Sequence, residues 1–175
     1  TEERAAVLKN TAKREKIKLA GTPLEQENTI KYAAEIASGF PFIYLQNLAK
    51  KAASVAVEKG HKGISKADFT EAYLQITTGR ASTRKINEHE KLIVTSHECG
   101  HATNLQVMNN VAKTRGEKWH VPTKVNFITL DPRGMFGGAV FSGYDANKQV
   151  SFETMFSDIV YSFGGNSAEQ TFYNM

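Results

Sequence analysis

Along the first 80 residues, apolar side chains recur every three or four positions, which is the spacing of amphipathic helices. The pattern predicts four helices, over residues 1–19, 21–39, 41–60 and 64–76. A shared alanine-rich core predicts that they form one compact helical domain over residues 1–80. The third helix carries the longest apolar stripe, formed by Leu45, Leu48, Ala49, Ala52 and Ala56.

Polar residues and glycines mark where these helices begin and end. Thr22 precedes Pro23 and lies three residues before Glu25, which is the arrangement of a capping box at a helix N-terminus. Ser65 and Asp68 have the same spacing at the start of the fourth helix. Glycine is the usual residue just past a helix C-terminus. The predicted stops of the second and third helices are therefore Gly39 and Gly60.

The second half of the chain has a different pattern. The polar stretch over residues 77–90 is typical of a linker, and a helix is predicted over 88–110. The polar residues that follow, up to 122, indicate a loop. Apolar and polar residues alternate at Val125 and Phe127, and again at 139–141 after an Asp-Pro-Arg-Gly turn. This pattern predicts a hairpin. A peptide could be held along its edge as an added strand, although an ordinary turn in a small sheet explains the pattern as well.

A last helix is predicted to begin after Ser151 as its N-cap and to end at Gly164 and Gly165. A separate element would start at Asn166. The predicted fold class is therefore mainly α with a small β hairpin or sheet.

Composition and charge narrow the function classes only a little. With 41% hydrophobic and 23% charged residues, the chain has the composition of an ordinary globular protein, and no apolar run is long enough for a membrane span. A single cysteine excludes an internal disulfide framework. The net charge of +4 belongs wholly to residues 1–80. Because these basic residues lack interleaved aromatic side chains, a solvated helical face is a better interpretation than a nucleic-acid surface.

The strongest chemical signal is the segment "SHECGHA", which contains His97, Glu98 and His101. On a helix, residues four apart lie on one face, so both imidazoles can point at one ion, and zinc accepts such ligands. Glu98 is rotated by roughly 100° from His97, because a helix has 3.6 residues per turn. It is placed to take a proton from water that a metal activates, as a general base in amide hydrolysis. Two helical histidines also occur without a metal, but the full pattern favours a zinc site.

Two further observations bear on this site. Gly100 is costly inside a helix, which predicts that something packs close to the backbone there. Cys99 is expected to pack as a small apolar residue on the far side of the helix. A catalytic zinc also needs a third protein ligand. The residue patterns leave four candidates open, which are His120, Glu153, Asp158 and Glu169. His61 and His89 are the least favoured.

Four segments in order resemble the FtsH-type ATP-dependent zinc proteases. "HECGHA" resembles the family's HEAGHA, "KVNFITLDPRG" its KVTIIPRG and "SFGGNSAEQ" its GGRAAEE. "GFPFIYLQNLAKKAASVAVEKGHKGISKADFTEA" resembles the lid of an AAA ATPase, GFSGADLxNLVNEAALxAA…I…DFExA. Departures from the family pattern include Cys99, Asn166 and Gln170, and a longer segment between Gln106 and Thr123.

The resemblance implies a helical AAA lid over 1–80 and a HExxH zinc-peptidase domain over 81–175, truncated at its C-terminus. It implies that Glu98 is catalytic and that His97 and His101 bind Zn²⁺. The third ligand would be an aspartate beyond Met175. ATP would bind an upstream core, since no G-x-x-x-x-G-K-[ST] motif occurs here.

The function implied is that of a zinc endopeptidase in an ATP-dependent machine for protein quality control. Its partners would be unfolded or misfolded proteins and further copies in a homo-hexamer, with no nucleic acid. The machine would be anchored in a membrane by an absent N-terminal segment, with its catalytic part on the cytoplasmic, matrix or stromal side. The 175-residue chain alone is expected to be inactive. Two alternatives stay open: a catalytically silent AAA/peptidase-like assembly module, or a stand-alone soluble zinc peptidase.

Overall fold

The structure is a computed structural model and describes residues 1–83, 85–115, 124–143 and 151–174. Within these residues there are six helices and one two-stranded antiparallel sheet, which confirms the predicted mainly α fold with a small hairpin. The chain divides into two compact units, Thr1–Arg80 and Ala81–Met175. Their assignment as an AAA lid and a peptidase domain stays a prediction. No helix among the described residues is long and apolar enough to cross a lipid bilayer.

The first unit consists of α1 (Glu2–Arg14), α2 (Pro23–Ile36), α3 (Phe42–Glu58) and α4 (Lys66–Thr77). Their apolar faces meet in one buried cluster, and the predicted stripe on α3 is at its centre. Because the cluster is rich in alanine, the helices lie close together around a small core. Its largest fully buried apolar side chains are Leu8, Leu45, Leu48, Val55, Ile64 and Phe69.

Both predicted capping boxes of the first unit are present. The backbone N–H of Thr22 donates to Glu25 Oε2 at 2.7 Å, and Glu25 N–H donates to Thr22 Oγ1 at 3.4 Å. At α4, Ser65 N–H donates to Asp68 Oδ2 at 2.9 Å, and Asp68 N–H donates to Ser65 Oγ at 3.3 Å. The side chain of Asp68 is fully buried and also accepts a hydrogen bond from His61 Nδ1 at 3.0 Å.

The first helix is shorter than predicted. It ends at Arg14, and Lys16 adopts a left-handed backbone with φ of 54°. The chain then turns so that Leu19 forms a parallel bridge with Ile64, just before α4. The prediction of a helix to residue 19 was wrong because Leu19 matches the helical spacing but makes a tertiary contact instead. The second helix likewise ends at Ile36, three residues before Gly39.

The second unit consists of α5 (Glu88–Arg115), β1 (Val125–Thr129), β2 (Ala139–Ser142) and α6 (Phe152–Tyr173). The hairpin is confirmed: β1 and β2 are antiparallel, and Phe127 stacks on Phe141 with ring centroids 4.9 Å apart. The hairpin turn is tied to the start of the unit by Ser82 N–H, which donates to Pro132 O at 2.7 Å.

Two predicted boundaries in this unit were wrong. The polar segment after residue 110 continues α5 as far as Arg115, while the rest of the predicted loop, 116–122, lies outside the described residues. Ser151 does cap α6, with Thr154 N–H donating to its Oγ at 3.3 Å. The helix then runs through Gly164 and Gly165 to Tyr173 with no new element at Asn166. These glycines allow close packing against α5 instead of ending the helix.

Candidate metal centre on helices α5 and α6

Helices α5 and α6 cross with their backbones in direct contact, at Gly100 and Gly164. A Cβ on Gly164 would lie 2.6 Å from Gly100 O and 2.8 Å from the Cα of His101. A Cβ on Gly100 would collide in the same way with the carbonyl oxygen of Gly164. The sequence prediction that something packs against the backbone of Gly100 is therefore confirmed. The crossing lies beside the turn of α5 that carries the two histidines.

The imidazoles of His97 and His101 face each other through their Nε2 atoms, which are 3.0 Å apart. Their ring centroids are 4.7 Å apart and their planes are inclined by 77°. This follows from the spacing of four residues on one helix, which brings the two rings to the same face. The Nδ1 atom of each ring faces away from the other histidine and can bond other partners.

Both Nδ1 atoms are held by groups on α6. His101 Nδ1 donates to the backbone oxygen of Tyr161 at 2.7 Å, and His97 Nδ1 donates to Glu169 Oε1 at 2.8 Å. A carbonyl oxygen can only accept, so His101 Nδ1 carries the hydrogen, and an ionised Glu169 imposes the same tautomer on His97. Each Nε2 atom is then left with a lone pair. Two lone pairs at 3.0 Å need a shared proton or a cation between them.

The donor set fits zinc. Two imidazole nitrogens that bind one tetrahedral zinc ion at about 2.0–2.1 Å are separated by roughly 3.3 Å. The Nε2 atoms of His97 and His101 are already within a few tenths of an ångström of that separation. Metal-binding histidines characteristically donate their other ring N–H to a carboxylate or a carbonyl group, as both rings do here. The two Nε2 atoms therefore have nearly the spacing of a pair of ligands to one zinc ion.

Glu98 lies next to the pair and is buried, with 7% of its surface exposed. Burial raises the pKa of its carboxyl group, although His97, His101 and a hydrogen bond from the backbone N–H of Val140 act in the opposite direction. Gly138 allows this close approach of the hairpin, since a Cβ there would lie 3.0 Å from Glu98 Cγ. A carboxylate with a raised pKa is a better proton acceptor near neutral pH.

Among the candidate third ligands, the structure brings one to the histidines. Glu169 contacts Nδ1 of His97, the ring nitrogen that does not face His101, so it orients the imidazole and does not share an ion with both Nε2 atoms. The side chains of Glu153 and Asp158 are exposed on α6, and His120 lies outside the described residues. Within the described ranges, no group of three or more His, Cys, Asp or Glu side chains could hold a metal ion. A third ligand beyond Met175 stays a prediction.

The remaining histidines have other contacts. His61 belongs to the first unit and bonds Asp68, and His89 packs edge-on against Tyr173 with ring centroids 6.5 Å apart. Cys99 is exposed, so the prediction that it packs as a small apolar residue was wrong.

Sequence reasoning missed three groups of this site. The Tyr161 carbonyl and the Val140 N–H are backbone groups, which every residue has, so no signal could have identified them. Glu169 was considered as a metal ligand, but not as a residue that orients His97. The segment "SFGGNSAEQ" in which it lies was the available signal.

No family model matches the chain. It is similar to "ATP-dependent zinc metalloprotease FtsH 1" of Thermoanaerobacter sp., with 29% identity over 161 residues, 91% of this chain and 24% of the relative. It is 26% identical over 157 residues to "ATP-dependent zinc metalloprotease FtsH" of Ruminiclostridium cellulolyticum, covering 89% of this chain and 24% of the relative. The protein of the same name from Acholeplasma laidlawii is 28% identical over 168 residues, 93% of this chain and 24% of the relative. The chain thus spans about a quarter of the length of these relatives.

Proposed function

Over about nine tenths of its length the chain is similar to FtsH-type ATP-dependent zinc metalloproteases, and on this premise we propose that it is part of such a protease. In this proposal the first unit, Thr1–Arg80, is the AAA lid, and the second unit, Ala81–Met175, belongs to the zinc-peptidase domain. The reaction is hydrolysis of peptide bonds within protein chains.

One observation carries the proposal. The Nε2 atoms of His97 and His101 face each other at 3.0 Å, while both Nδ1 atoms are held by α6. A pair of histidines on an ordinary helix surface would have no reason to be fixed on both sides. Such fixed imidazoles with converging lone pairs, next to a buried carboxylate, are what a hydrolytic zinc site needs.

The residues of the chain have separate roles in this reaction. His97 and His101 would bind the zinc ion, which supplies Lewis acidity that polarises the peptide carbonyl and acidifies water. Glu98 accepts a proton from the attacking water and returns it to the leaving amine. Its burial keeps water from screening the carboxylate, and the Val140 N–H fixes the orientation of that group.

The wider setting follows from the family resemblance and is part of the proposal. ATP would bind a core upstream of the lid and drive substrate proteins towards Glu98. The substrates would be unfolded or misfolded proteins, and the assembly would be a homo-hexamer anchored in a membrane. The third zinc ligand would be an aspartate beyond Met175, so the 175-residue chain by itself would bind zinc weakly and would not cleave peptides.

The test uses a chain extended past Met175 and the substitution Glu98→Gln. Because Gln keeps the shape but cannot accept a proton, we expect one zinc per chain as in the wild type and a loss of casein cleavage of about 10²–10⁴-fold. Glu88→Gln is the matched control, since Glu88 is exposed near the start of the same helix. Normal cleavage by the Glu98→Gln variant would exclude the assigned role.

A catalytically silent assembly module is the second candidate, and the observation in its favour is that the described residues bring only two imidazoles together. Oligomerisation of the extended chain without metal uptake would support it over the protease. Tight stoichiometric zinc in the 175-residue chain itself would instead support a stand-alone zinc peptidase.

A further inference from the structure

Gly165 lies on α6 directly against the ring of His97. A Cβ built at this position would collide with the Cε1, Nε2 and Nδ1 atoms of the imidazole, and these are its three nearest atoms. Gly165 is buried. The imidazole therefore occupies the space that a side chain at position 165 would fill.

The neighbouring glycine has a different environment. A Cβ on Gly164 would meet the O and C atoms of Gly100 and the Cα of His101, all of which are backbone atoms. Such atoms move only if α5 and α6 separate. The ring of His97, by contrast, is the end of a side chain with two rotatable bonds, so it can swing away while both helices stay in place.

The ring has little freedom to move without losing its partners. Its Nδ1 atom bonds Glu169 at 2.8 Å, and its Nε2 atom faces His101 Nε2 at 3.0 Å. A displacement of about 1 Å is enough to break a hydrogen bond of this length. Any side chain at position 165 would therefore misalign both edges of the imidazole at once.

We propose that Gly165 is a positioning residue for the metal centre: its missing side chain forms the slot that holds the His97 imidazole between Glu169 and His101. As far as it concerns the metal, this inference rests on the proposed function. The orientation of the ring itself does not depend on that function and can be measured in the metal-free chain.

The slot predicts that Gly165→Ala weakens metal binding strongly but changes stability little. Alanine is favoured over glycine inside a helix, and this gain offsets the loss of the hydrogen bond between His97 and Glu169, because the new methyl group displaces only a rotatable ring. The same displacement weakens cation binding. If Gly165 were needed only for helix packing, its replacement would instead lower both the stability and the metal affinity.

The experiment compares the 175-residue chain with its Gly165→Ala, His97→Ala and Asn166→Ala variants, the last being an exposed control on the same helix. Cobalt(II) is the probe, because it accepts imidazole ligands as zinc does and, unlike zinc, absorbs visible light. We expect Gly165→Ala to bind cobalt 10-fold or more weakly, with unfolding of the metal-free chain within about 5 °C of the wild-type temperature. Asn166→Ala should bind as the wild type does.

A second measurement tests the slot separately from the metal centre. In the metal-free wild type, nitrogen NMR of the imidazoles should show the hydrogen of His97 on Nδ1, and Gly165→Ala should lose that preference. Replacing Gly165 in a His97→Ala chain should raise the unfolding temperature more than in the wild type, because no ring is displaced. Wild-type cobalt affinity with an unchanged His97 signal, or unfolding of α6 in Gly165→Ala, would overturn the slot. If the 175-residue wild type bound no cobalt, the same comparison would be made in the chain extended past Met175, where a lack of uptake would refute the metal centre, while the His97 signal would still decide the slot.

Discussion

Replacing Gly164 with alanine tests the close crossing of α5 and α6. The new Cβ would lie 2.6 Å from Gly100 O, whereas ordinary contacts begin at 3.4 Å, so the helices must separate locally by about 0.8 Å (3.4 − 2.6). Overpacking typically costs about 1–3 kcal/mol. The upper end applies here, because the atoms in the way belong to the backbone. The higher helix propensity of alanine offsets about 1 kcal/mol of this cost.

The net expectation is that Gly164→Ala lowers the free energy of unfolding of the second unit by about 2 kcal/mol, or its unfolding temperature by roughly 10 °C. Thermal unfolding followed by circular dichroism measures the change, and hydrogen exchange of α5 and α6 amides assigns it to this unit. Asn166→Ala, an exposed change two residues further along α6, should stay within about 0.5 kcal/mol of the wild type. A Gly164→Ala chain that is more stable than the wild type would refute the crossing.

Three further predictions concern particular side chains. Burial raises the pKa of Asp68, but hydrogen bonds from Ser65 and His61 outweigh it, so the folded pKa lies below its ordinary value. The stabilisation is therefore complete above the unfolded pKa of about 3.9 and is lost as the pH falls through the folded pKa. Acid titration of unfolding free energy should show this loss in the wild type and much less of it in Asp68→Asn. Glu169→Gln should weaken cobalt binding by about 10–100-fold, as measured by absorption titration, because the carboxylate that orients His97 is lost. Thr22→Ala should lower the free energy of unfolding of the first unit by about 1 kcal/mol in urea, by removing its cap.

The parts of the fold that sequence predicted well depend on neighbouring residues. Each capping box is a pair of side chains three positions apart, and the hairpin is an alternation around a short turn. The α3 stripe is likewise a periodicity within one helix. Such patterns are visible in a short window, because the physical interaction itself is local.

The errors came where a distant partner decides the structure. Gly164 and Gly165 resemble a helix stop, and only the presence of Gly100 and of the His97 ring on another helix explains why α6 continues through them. Leu19 fits a helical spacing but pairs with Ile64. A single sequence contains no direct record of such contacts.

At the candidate site, the spacing of His97 and His101 predicted that both rings share one helix face. It could not predict that the Nδ1 atoms of both rings are bonded by groups on α6, because one of these groups is a main-chain oxygen, that of Tyr161. The tautomers that leave both Nε2 atoms free are thus a property of the packing of α6 on α5.

The most direct test of the metal centre is a zinc titration of the chain extended past Met175, followed by nitrogen NMR of its imidazoles. We expect saturation at one ion per chain, with the Nε2 signals of His97 and His101 shifting together, and loss of uptake in either single alanine variant. Uptake that survives both substitutions, or saturation that leaves the two Nε2 signals unchanged, would contradict it.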